Sequence, residues 1–257
     1  MEVIGAVAAA TLKEWSVYRT HTLVSVFVGP VYFSVQYFIW TAVYGNRPAL
    51  AGMELEQTIR YFGATALIGY LTMDFADWNL SMLIRSGKFL TFALRPVHHR
   101  FFALAQKLGH RVLGLGLEFV PCVILFHFLF GVDMRPANLP WALFSVALAF
   151  LTGFYFNYIL GMTSFWFVRA EGVRHVVNLI STVFSGALIP LAFFPDWLRT
   201  VQRFLPFQYI VYVPAMVFTG HFTPSLVGSQ ALAALLLYAA SELIYRRAMR
   251  RFCDVGA

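Results

Sequence analysis

Residues 141–168 read WALFSVALAFLTGFYFNYILGMTSFWFV, a run without one charged side chain. A hydrocarbon core about 30 Å thick takes roughly 20 apolar residues to cross as a helix. Inside lipid no water pairs the backbone, so every N–H and C=O of such a run must be satisfied within the protein, which a helix does. Five more stretches read the same way: Leu23–Tyr44, Ile59–Met82, Val112–Val132, Val176–Phe194 and Leu226–Tyr245. The sequence therefore predicts an all-α membrane protein. Its six transmembrane helices fall at 23–44, 59–82, 112–132, 141–168, 176–194 and 226–245 of one domain, 1–257.

Composition agrees. Hydrophobic residues make up 60% of the chain and charged residues only 12%, against about 25% in ordinary soluble domains. A net charge of +7 raises the question of nucleic acid. The basic residues stand at the ends of the apolar runs, however, not on one soluble face, so the footprint of a nucleic-acid binder is missing. Cys122 lies inside a span and Cys253 near the C-terminal end, so no disulfide is expected.

The placement of charge sets orientation. With the N-terminus cytosolic, all but five of the 19 Lys and Arg residues fall on cytosolic segments; the exceptions are Arg47, Arg60, Arg135, Arg199 and Arg203. This bias fits the positive-inside rule and puts both termini in the cytosol. Residues 1–22 carry Glu2 ahead of the apolar Val3–Thr11 and lack a basic leader. They read as an interfacial helix with Trp15 and Tyr18 at headgroup level rather than as a signal peptide.

Two connections are too apolar to be plain loops. Residues 83–111, LIRSGKFLTFALRPVHHRFFALAQKLGHR, are basic yet rich in Phe and Leu. Pro96 should stop a helix at Arg95. Beyond it Phe101, Phe102, Leu104, Ala105 and Leu108 recur at helical spacing, which predicts a short helix against the inner membrane face or a partner. Simple snorkelling to lipid phosphates accounts equally well for any single basic residue, but the apolar and basic segment as a whole favours a docking element. The external segment 195–225 and the residues before it are cut by Pro190, Pro195, Pro206 and Pro214 into pieces too short to span. Such pieces fit short re-entrant helices, which survive at membrane depth only under cover of protein or a wet cavity.

Acids within spans are costly and need an explanation. Asp74 and Asp77 share a helix face in the second span, and Glu118 lies in the third. They are either a cation or proton path, or inter-helix partners of Arg85, Lys88 or Arg111. Glu242 is placed to pair with Arg246. Gln36, Tyr155 and Asn157 are inter-helix hydrogen-bonding candidates, and Asn157 joins the acids as a candidate for a translocation path.

With its six-span layout behind a surface helix, its RSGKFLTFALRPV segment, and its GALIPLAFFPDWL followed by LPF, VP and FTG, the chain resembles an ABC type-2 permease. The resemblance covers most of the chain. It implies the membrane subunit of a bacterial exporter in the inner membrane, driven by a separate cytosolic ATPase dimer and paired with a second permease, identical or similar. It makes Arg85, Gly87, Lys88, Arg95 and Pro96 candidate ATPase-coupling residues, and makes Pro190, Pro195, Pro206 and Pro214 the shapers of an external gate. No large external domain is present, unlike in mechanotransducing relatives. Gly87–Lys88 lacks the upstream glycine of a phosphate-binding loop and is followed by Phe89, so the chain itself is expected to hold no cofactor and no catalytic or metal site, with ATP and magnesium on the partner. The cargo expected is apolar or amphipathic. The rival reading is an ion- or proton-coupled transporter or channel using Asp74, Asp77 and Glu118. A lipid enzyme is disfavoured because no H-E-x-x-H or comparable string occurs.

Overall fold

The computed structural model describes Ala10 and residues 19–95, 97–167 and 171–256. Ten helices make up the described fold. They are α1 (Arg19–Tyr44), α2 (Leu55–Thr72), α3 (Ala76–Arg85), α4 (Leu90–Ala93), α5 (His99–Phe130), α6 (Leu139–Met162), α7 (Glu171–Phe184), α8 (Asp196–Gln202), α9 (Tyr212–Phe218) and α10 (Pro224–Gly256). A hairpin of two short strands, β1 (Ala49–Leu50) and β2 (Met53–Glu54), turns α1 into α2. The expected interfacial helix over 1–22 lies outside the described residues except at Ala10 and at 19–22, which belong to α1.

Among the described residues, four helices are long and apolar enough to cross a membrane: Val26–Tyr44, His99–Phe130, Leu139–Phe165 and Pro224–Phe252. Of these, Leu139–Phe165 is half buried while the other three expose most of their surface. That makes α6 the central helix, against which α2, α3, α9 and α10 pack. The faces turned outward carry large apolar side chains such as Phe38, Phe128 and Leu179, the surface expected where lipid replaces water.

The expected spans are corrected in three places. The second, 59–82, is not one helix: it breaks between Thr72 and Ala76. The third does not begin at 112. Helix α5 starts at His99, so the expected separate helix over 101–108 is the first part of a single rod. The fifth, 176–194, is α-helical only to Phe184, with a single 3-10 turn at Leu191–Phe193 beyond it. At 1.5 Å per residue, the 14 residues of α7 reach about 21 Å, short of the hydrocarbon thickness.

Two prolines inside long helices are accommodated differently. Pro121 has no N–H and its ring crowds the carbonyl four residues back. The turn just before it, Leu115–Phe119, widens to a π-helix. Pro30 sits within α1 and cannot donate to the Val26 carbonyl. The Tyr70 hydroxyl donates to that oxygen instead (3.1 Å) and accepts from the Gly29 N–H (2.6 Å).

Two large clusters of buried side chains divide the interior, beside a small one of Val213, Val217 and Val227 between α9 and α10. One joins Phe33, Trp40, Tyr61, Phe62 and Phe126 at the hairpin end. The other joins Leu80, Phe89, Phe154, Tyr158 and Met162 at the opposite end, where α3 gives way to α4 and where α10 finishes.

Candidate functional site

The break between α2 and α3 is a polar joint built from three parts of the chain. Met73 adopts an extended backbone (ψ 127°) and ends α2. Asp74 Oδ1 accepts the Ala76 N–H at 3.1 Å, which satisfies one of the free donors at the start of α3. The same oxygen holds Lys107 of α5 at 3.0 Å, with both side chains buried. Oδ2 of Asp74 has no hydrogen-bond partner among the described residues. One turn along α5, Arg111 donates to the carbonyls of Tyr70 and Met73. A helix end leaves its last carbonyls unpaired, and in lipid each would cost several kcal/mol, roughly. Arg111 removes that cost at Tyr70 and Met73. Glu118 faces Arg111 from the π turn, since the space beside Gly114 is bounded by Glu118 Oε2 and Arg111 Nη1.

Asp77 meets α7. Its carboxylate lies 3.7 Å from Arg174 Nε, and its carbonyl accepts from Arg174 Nη1 at 3.3 Å. At the far end of α3, Arg85 pairs with Glu171 at 2.5 Å. Two ion pairs of opposite polarity thus fasten the first turn of α7 along α3. The expected partners are met only in part: Arg111 faces Glu118 as well as the backbone carbonyls, whereas Arg85 belongs to Glu171 and the acids of the second span to Lys107 and Arg174. On the other side α3 lies against α6 at Gly161, where a Cβ would meet Asp77 Cα at 3.0 Å. Asn157 is half buried on α6, and its side chain makes no hydrogen bond to Asp74, Asp77 or Glu118 among the described residues.

The basic segment after α3 is a tight turn. Gly87 takes φ +71°, a left-handed conformation that favours glycine. The reversal drives Phe89 into the second cluster, 5.1 Å from Phe165 and 5.6 Å from Phe252 between ring centroids. Lys88, Leu90 and Leu94 stay exposed. Arg95 is exposed too and lies over the Phe92 ring at 4.7 Å. Pro96 lies outside the described residues. Helix α5 then starts with His99 stacked on Tyr158, its Nδ1 3.2 Å from the Tyr158 hydroxyl. Arg100 is buried and pairs with Glu242 of α10 at 2.9 Å. Glu242 also holds Arg246 at 2.7 Å, as expected.

The proline-rich segment is broken as expected. Pro190 and Pro195 precede short helical pieces, Pro206 opens another, and Pro214 stands in the first turn of α9. Side chains cover its non-helical backbone. Tyr61 donates to the Gly186 carbonyl (2.7 Å), Tyr32 to Ala187, and Gln202 to Phe184. Gln230 of α10 donates to the Tyr209 and Ser145 carbonyls (2.9 and 3.0 Å) and accepts from the Ser145 hydroxyl.

Sequence reading missed Lys107 and Arg174 as partners of the acids, Phe89 as an anchor, and Gln230 as the clamp between α6, α10 and the proline segment. Gln230, an amide inside an apolar run, was the one with a visible signal.

A comparison with curated proteins returned no match. A family model described as ABC-2 family transporter protein matches residues 31–256, nearly the whole chain. Together with the apolar helices, this makes the chain a multi-pass membrane protein of the ABC transporter permease type, and it belongs to the ABC-2 family of transporter proteins.

Proposed function

We propose that this chain is the path-forming permease of an ATP-driven exporter, worked through residues 83–111 by a separate ATPase dimer that carries the ATP and magnesium. One observation carries the reading. The segment expected to receive the ATPase is not a free loop but is fixed to the helices, through Phe89 to the core, Arg85 to α7 and Arg100 to α10. A push there moves helices. Six crossings follow if α2–α3 is one broken crossing and α7, with the turns after it, is a short one. Both termini are then cytosolic, in agreement with the charge bias. Two copies, or this chain and a similar one, enclose the path in a bacterial inner membrane. The exposed aromatic surface favours an apolar or amphipathic cargo.

The rival ion-coupled reading draws less support. Asp74 and Asp77 each face a cation, Lys107 and Arg174, which leaves little free charge to attract an ion. The test is Lys88→Glu combined with Arg95→Glu. Charge reversal should release the ATPase during purification and stop transport while the permease stays folded. Retention of both ATPase and transport would refute the docking role.

A further inference from the structure

Helix α10 presents Glu242, Tyr245, Arg246, Met249 and Arg250 on one face at spacings of three and four. That face and the turn around Arg95 enclose an open cavity of about 470 Å3. Its charge is unbalanced. One carboxylate, Glu242, serves both Arg100 and Arg246. Arg95 and Arg250 line the same cavity, and neither pairs with a carboxylate among the described side chains, which end at Phe252. Arg95 is instead supported by the Phe92 ring. The remaining wall is mostly apolar, from Phe92, Val97, Tyr245 and Met249, with His98 beside them. Exposed Leu90 and Leu94 stand on the adjoining turn.

We infer that this cavity binds a phosphate group, and that its source is the headgroup of an anionic phospholipid. Guanidinium groups match phosphate oxygens in a planar fork. The cavity lies at the ends of α5 and α10, two helices long enough to cross the bilayer, where arginines reach the headgroups along their aliphatic stems. Its mixed wall suits a headgroup with the start of its acyl chains better than a free ion. The inference needs only that the chain is embedded in a membrane, not that an ATPase docks nearby.

The full-length permease, purified alone in neutral detergent, is titrated with short-chain phosphatidylglycerol, with phosphatidylcholine of the same chains, and with inorganic phosphate. Binding is read from tryptophan fluorescence and from the thermal midpoint. Phosphatidylglycerol should bind best, and Arg95→Gln with Arg250→Gln should weaken it about tenfold or more, given the attraction of each basic group for an anionic headgroup. Arg247→Gln, outside the cavity, should bind like the unaltered protein. Arg250→Lys, which keeps the charge but loses the planar fork, should bind more weakly than the unaltered protein and more tightly than Arg250→Gln, which separates lost charge from lost folding. Equal binding of phosphatidylglycerol to the unaltered protein and the double variant overturns the site, as does equal binding of phosphatidylcholine. Full displacement by inorganic phosphate at matching concentration overturns the lipid source. No binding of any phosphate ligand, with release of the ATPase by the same double variant, makes the cavity a protein-docking surface and ends the proposal.

Discussion

The Tyr70 hydroxyl fills the gap that Pro30 opens in α1, donating to the Val26 carbonyl that proline leaves unpaired and accepting from Gly29. Gly29 permits the approach, since a Cβ there would lie 2.5 Å from the Tyr70 ring. Tyr70→Phe should therefore lower stability by about 1–3 kcal/mol, the cost of buried groups losing their partner. Gly29→Ala should cost a similar amount, about 1–3 kcal/mol, through overpacking. Gly69→Ala, in open space on the next helix, is the control and should not destabilise. Thermal midpoints in detergent decide it. A Gly29→Ala midpoint equal to that of Gly69→Ala would refute the contact.

The Asp74–Lys107 pair is almost inaccessible, so removing one partner leaves a buried charge. Lys107→Met should destabilise by about 3–5 kcal/mol. Adding Asp74→Asn should recover much of that loss, because an amide still accepts the Ala76 N–H. An additive double variant would mean that the two groups do not form a pair.

Much of the architecture was legible because lipid leaves the chain few choices. Long apolar runs become helices, and each proline of the segment after α7 stands at or near the start of a short helical piece. The break at Met73–Phe75 was not legible. No proline or glycine marks it, and Asp74 reads equally well as an acid within an intact helix. What ends α2 is Arg111 donating to the carbonyls of Tyr70 and Met73, with Asp74 capping α3, and the Arg111 contacts form only once α5 lies alongside. The start of α5 was hidden for a related reason. Its first turns are amphipathic and basic, its later ones apolar, so one rod resembles a surface helix followed by a span. Phe89 looked like its exposed neighbours, because a left-handed turn at Gly87 decides which of them faces the core.

Arg85 and Glu171 form a pair with both side chains substantially exposed, 36% and 52%. Its contribution to stability should be small, about 0–1 kcal/mol. Its effect should appear in transport, because the pair ties α3 to α7. Glu171→Arg should reduce cargo transport with little change in thermal midpoint, and the swap Arg85→Glu with Glu171→Arg should restore it. Failure of the swap, with both proteins folded, would show that the charges act separately.

The basic turn divides its side chains between two jobs, and substitution should separate them. Phe89 is fully buried, so Phe89→Ala should cost about 3–5 kcal/mol and lower the thermal midpoint. The exposed face bearing Lys88 and Arg95 should remain, so the ATPase should still co-purify, but with its hydrolysis no longer raised by cargo. Leu94 is 79% exposed, so Leu94→Ser should leave the midpoint unchanged. If the ATPase packs against this turn, Leu94→Ser should weaken its co-purification. The two variants thus predict opposite patterns: stability lost with docking kept, and docking lost with stability kept. If both lost stability alone, the turn would be a structural element of the bundle and the ATPase would have to engage another surface.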